Sequence, residues 1–224
     1  MFKKKISDIL KYAELYHVTF YKASKFTGPS LYFHKRSLNS NNLSLSKLEY
    51  IYATLAAWGM HRMGPKGAKM VCFNQFKDSV NKLKKPIDNL QKKDISNHIN
   101  KDEWNKLEQI FTYLNVMASN ARLVGNSKAM HHMLPNLVPP IDREHTLKYL
   151  EIIYNKKSEW DMMSNILKYF FIPIVRNKKF RKLANEWMQN SNSTFKWDTS
   201  YMKIVDNLII GERIYRESYN KRKI

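Results

Sequence analysis

Apolar residues recur along this chain at intervals of three and four, and almost nowhere at the alternating spacing of a half-buried strand. Ile6, Ile9, Leu10 and Ala13 share one face over residues 4–17. Leu48, Ile51, Tyr52 and Leu55 repeat over a helix from Ser46 to about Trp58, with Ser46 and Glu49 spaced as a capping box. Phe73, Phe76, Val80 and Leu83 line a helix over 68–84. Trp104, Leu107, Phe111 and Leu114 line another over 101–119, which Asn100 can cap. The same spacing predicts helices at 127–134, 143–154, 158–171, 177–189 and 199–219, the last started by Asp198, Thr199 or Ser200. Residues 18–45 read as irregular, a loop or a weak strand around Leu31–Phe33, and residues 86–99 as a polar connection or short helix. The pattern predicts an all-α fold. It is either one multi-helix domain over 1–224 or two helical lobes, 1–120 and 121–224, ending in a disordered tail at 220–224.

Length and composition bound the function. With 224 residues the chain can bury a sizeable core. Its single cysteine, Cys72, excludes an intrachain disulfide framework and a multi-cysteine zinc or iron–sulfur site. The basic start Met1–Lys5 is followed by Asp8, Lys11 and Glu14 instead of an apolar stretch, so no leader or membrane span is expected and an intracellular (cytoplasmic) protein is.

Lys and Arg number 39 against 19 Asp and Glu, a net charge of +20, which favours a polyanionic partner, DNA or RNA, over a membrane. Lysines outnumber arginines 30 to 9 and asparagines reach 21, a bias that an A/T-rich genome also produces. The densest basic cluster is Arg176, Lys178, Lys179, Arg181 and Lys182, and a second runs over Lys82, Lys84, Lys85, Lys92 and Lys93. Lys66 and Lys69 sit in a Gly64-Pro65-Lys66-Gly67-Ala68-Lys69 loop able to approach phosphate closely, although it lacks the spacing of a P-loop.

The centre of the chain is the most informative stretch. Val124-Gly125 ahead of a helix reads as a tight turn, with the N–H groups of Gly125, Asn126 and Ser127 as an anion site reinforced by Lys128. Pro139-Pro140 then stiffen the approach to Asp142, placed to cap a helix from Arg143. His131, His132 and His145 lie nearby. Adjacent histidines point apart on a helix and no paired ligand motif accompanies them, so no metal or other cofactor is expected.

Residues 123–146 resemble the helix–hairpin–helix DNA glycosylases of the endonuclease III type. Val124-Gly125 match that family's hairpin turn, Ala129 its alanine, and Asp142 the place of its catalytic aspartate. Leu123 stands where the family has its first hairpin glycine, and Lys128 where a threonine is usual. Ser127 occupies the position of the lysine nucleophile of bifunctional members. The resemblance therefore implies a monofunctional enzyme. Asp142 would stabilise the oxocarbenium-like centre left on the sugar as a flipped base departs, and orient water, with His145 one turn on. The alternatives are a non-enzymatic nucleic-acid-binding or interaction protein in which Asp142 is only a cap, and a chain with no nucleic-acid role.

Overall fold

The computed structural model describes residues 2–23, 28–39, 42–62, 70–119, 121–192 and 194–221. Its helices are α1 (Phe2–Lys11), α2 (Ala13–Ala23), α3 (Pro29–Leu38), α4 (Leu45–Ala57), α5 (Phe73–Lys82), α6 (Lys84–Leu90), α7 (Lys101–Tyr113), α8 (Leu123–Met133), α9 (Glu159–Ile166), α10 (Ile172–Val175), α11 (Lys178–Gln189) and α12 (Tyr201–Lys221). The fold is all-α. Among the described residues the only β pairing is an isolated bridge, Met70 to Met117. Residues 222–224 of the expected tail lie outside the described residues, and Lys221 still belongs to α12.

Several helix ends follow from local chemistry. Asn100 Oδ1 accepts from Glu103 N–H while Glu103 Oε2 accepts from Asn100 N–H, a reciprocal box that starts α7. Ser200 Oγ accepts from Lys203 N–H at the start of α12. Two expectations move. Ser44, not Ser46, caps α4, its hydroxyl accepting from Lys47 N–H at 3.2 Å. Residues 18–23 and 29–38 are helical, and Gly28, at φ +66°, stands as the N-cap before Pro29, whose fixed φ suits the first turn of α3.

Helix also continues past Pro173. A wide turn over Leu167–Phe171, closed by Ile172 N–H onto Leu167 C=O, precedes the proline, which enters α10 in its first turn where no donor is needed. Cys72, inside the helix expected over 68–84, is exposed at the N-cap of α5.

The contacts divide the chain into two compact units: Met1–Lys25, Ile141–Asn155 and Asp161–Ile224, and Phe26–Pro140 with Lys156–Trp160. The boundary thus falls near 25 and 140, not at 120. The reason is that α8 packs on α3, α4 and α7, and the chain returns at 156–160 to complete that unit.

The first unit is centred on α2 against α12, with Tyr16, Phe20, Ile204, Val205, Leu208 and Ile209 buried. Gly211 lets the two backbones approach: a β-carbon there would stand 2.0 Å from Tyr16 C=O oxygen. A charged network is buried beside them. His17 Nε2 lies 2.7 Å from Asp198 Oδ2, with its ring stacked on Trp187 at 3.9 Å. Asn207 Nδ2 donates to Asp198 Oδ1, while Lys203 Nζ donates to Asn207 Oδ1 at 2.6 Å and to Asp206 Oδ2 at 2.7 Å. Every charge in this set has an opposite or polar partner, which is what makes its burial tolerable.

The second unit buries Leu48, Ile51, Leu55, Phe76, Ile87, Leu107, Phe111 and Leu137 around α8.

Candidate nucleic-acid interface

The anion site expected at Gly125–Lys128 takes a different form. Helix α8 starts at Leu123 and runs through Gly125, so there is no hairpin turn at Val124-Gly125. Every residue from Leu123 to Met133 is buried. Gly125 faces the Met117 side chain: a β-carbon there would stand 2.6 Å from Met117 Cγ and 2.9 Å from its Sδ. Asn126 Nδ2 donates to the carbonyls of Phe111 and Leu114, both at 2.8 Å, tying α8 to the end of α7. Ser127 Oγ donates to Val124 C=O.

The helix N-terminus does hold an anion, and it belongs to the chain itself. The buried Glu159 carboxylate accepts from Arg122 N–H at 2.9 and 3.0 Å and from Leu123 N–H at 2.9 Å. It fills the place a phosphate would take and satisfies donors that a helix start leaves open.

Lys128 is buried with its ammonium 5.8 Å from the Trp58 ring centre. His34, His131 and His132 are fully buried around it. His132 Nδ1 faces Lys128 C=O at 2.7 Å, so that nitrogen carries the proton and Nε2 is left to accept from His34 Nδ1–H at 3.0 Å. His131 Nδ1 donates to Val138 C=O at 2.8 Å. The three rings and Trp58 form one aromatic cluster (neighbouring centroids 5.0–6.0 Å apart) that joins α3, α4 and α8. Among the described residues no group of three or more His, Cys, Asp or Glu is arranged to hold a metal ion.

Asp142 lies in the other unit from α8. Its Oδ1 accepts from Glu144 N–H at 2.8 Å and its own N–H donates to Thr146 Oγ1 at 3.2 Å, so it caps a π-helical turn over Arg143–Leu147. Leu147 N–H closes that turn onto Asp142 C=O. Lys148 pairs with Glu144 and holds its carboxyl below the usual range. His145 is half-buried, and its Nδ1 is buried with no hydrogen-bond partner among the described residues.

The basic residues of α11 are on the surface. Lys178, Lys179 and Lys182 are exposed on the face opposite Phe180, Ala184 and Trp187. Arg181 is half-buried with its guanidinium 4.6 Å from the Tyr201 ring centre. Lys82, Lys84, Lys85 and Lys92 are exposed along α5, α6 and the turn after it, while Lys93 pairs with Glu103. Lys66 and Lys69 lie outside the described residues.

No helix among the described residues is long and apolar enough to cross a membrane. No family model, no curated protein and no solved structure matches the chain.

Sequence reasoning missed Glu159, because a carboxylate 36 residues after its partner leaves no local signal. It also missed His34, which sat in a segment read as irregular. It gave Lys128 as a cation reinforcing an anion site, and the side chain is buried.

Proposed function

We propose that the chain binds nucleic acid through lysines on exposed helix ends and turns that make no ion pair among the described residues. The observation that carries this is where those lysines sit. Lys3 and Lys4 in the first turn of α1, and Lys178 and Lys179 in the first turn of α11, are exposed, with no acidic residue in either turn. A cation at a helix N-terminus opposes the dipole and costs about 0.3–1 kcal/mol, so the local rule is broken four times over. Such ends combine N–H donors with ammonium groups, the chemistry that suits a phosphate. Lys82, Lys84, Lys85, Lys92 and Lys182 add exposed cations that make no ion pair among the described residues.

The test is a titration of DNA and RNA duplexes and single strands at about 50 and 200 mM salt. Neutralising several phosphates makes affinity fall steeply with salt, with a slope of about 0.9 per contact on duplex DNA. Replacing Lys178, Lys179 and Lys182 together by Gln is expected to reduce that slope by about three. Affinity that is flat between the two salt levels overturns the proposal.

A second reading, base excision at Asp142, is favoured by one observation. Asp142 is held at both its N–H and its Oδ1, and three residues on His145 keeps a buried ring nitrogen without a hydrogen bond. A buried imidazole nitrogen left open is a base in waiting, and buried orphans of this kind call for an explanation. On duplexes carrying damaged bases the wild type should release free base and Asp142→Asn should lose at least about 100-fold in rate, the usual contribution of a positioned acid–base group. No base release by the wild type removes this reading and leaves the binding proposal untouched.

A further inference from the structure

Tyr113 ends α7 and is about two-thirds exposed, 68%. A solitary exposed tyrosine is ordinary, but this one stands between two adjoining clefts. One, of about 610 Å³, is walled by α5 and the last turns of α7, and the other, of about 360 Å³, is lined by Leu114–Met117, Arg122 and Asn126 among others. Both volumes fall within the range of small-ligand sites, about 300–1,000 Å³. Tyr113 and Asn115 line both. Gln75 and Gln109 add carboxamides to the first. Lys82 closes that cleft and Arg122 the second, and neither cation makes an ion pair among the described residues. Asp78 is the carboxylate in the first cleft.

We infer that these two clefts take a single-stranded stretch of nucleic acid, with a base stacked on Tyr113. The inference rests on the nucleic-acid reading above and assigns it a base-contacting site. An exposed ring can meet a base face only when that base is unstacked, as in a single strand, and ring stacking tolerates any base. Carboxamides offer donor and acceptor together and can bond base edges, and Asp78 can accept from a base amino group. Lys82 and Arg122 suit the phosphates on either side of the stacked nucleotide. Lys84 and Lys85 continue the positive line from Lys82 into α6, giving the strand a path beyond the clefts.

The experiment is fluorescence anisotropy of the full chain with a labelled 12-nucleotide oligo-dT strand and with a 12-base-pair duplex, for wild type, Tyr113→Ala and Tyr113→Trp. Tyr113→Ala should weaken the single strand about tenfold, the loss of one base–aromatic stack, with duplex affinity and melting temperature unchanged. Tyr113→Trp should bind the single strand at least as well as wild type. Wild-type binding to the single strand that Tyr113→Ala leaves intact overturns the site and spares the binding proposal. So does an equal loss on both nucleic acids. Failure of the wild type to bind either at low salt overturns both.

Discussion

Gly211→Ala lowers the stability of the protein by about 3 kcal/mol or more and its melting temperature by about 6–12 °C, measured by thermal denaturation followed by circular dichroism. Helix propensity alone gives the opposite sign. Alanine in a helix interior is about 1 kcal/mol better than glycine, and Gly211 sits inside the 21-residue α12. The packing term is larger. An added β-carbon would meet Tyr16 C=O oxygen at 2.0 Å, its carbonyl carbon at 2.8 Å and Phe20 Cβ at 3.3 Å. The first two are backbone atoms of α2 and cannot turn away by a change of rotamer. Relief requires α2 and α12 to separate, and that opens the buried layer of Tyr16, Phe20 and Leu208. Gly125→Ala is the control. There the β-carbon meets Cγ and Sδ of the half-buried Met117 side chain, which can change rotamer, so the change should stay within about 1 kcal/mol. Equal effects at the two glycines would mean that backbone approach at Gly211 is not what the residue is for.

The two glycines also mark how far the sequence could be read. Helix class was legible because Leu107 and Phe111 declare one face of α7 by their spacing, and Asn100 ahead of Lys101 declares its start. Each of those signals is local. Gly125 was misread because Val-Gly before a helical pattern is also how a turn is written. What decides it is the Met117 side chain and the burial of all of α8, which no spacing within residues 123–133 records. The same limit governs the interface. The lysines of α11 could be placed on an outer face from the spacing of Phe180, Ala184 and Trp187. The place of Asp142 at the start of a helical turn was equally readable, though not that the turn is π-helical. The His34–His132 bond spans 98 positions, and Glu159 meets Leu123 across 36, so both contacts exist only in the folded chain.

Glu159→Ala removes the internal anion of α8 and costs about 3 kcal/mol, while Glu159→Gln costs about 1 kcal/mol. The carboxylate takes three short contacts from two N–H groups, each charge-assisted and buried. Alanine leaves both donors bare at the positive end of a buried helix, and glutamine keeps one acceptor but gives up the charge that the dipole favours. The pair of variants separates charge from shape. It also tests whether the start of α8 is an anion site in the physical sense. In Glu159→Ala the cradle of N–H groups is vacated, and phosphate or sulfate at about 10 mM should raise the melting temperature of that variant more than it raises that of the wild type, since a ligand bound only to the folded state stabilises it by mass action. An ion-independent loss would mean that the cavity closes on itself. Full stability in Glu159→Ala would mean that the two N–H groups find other acceptors, and that the carboxylate is not what holds the first turn of α8.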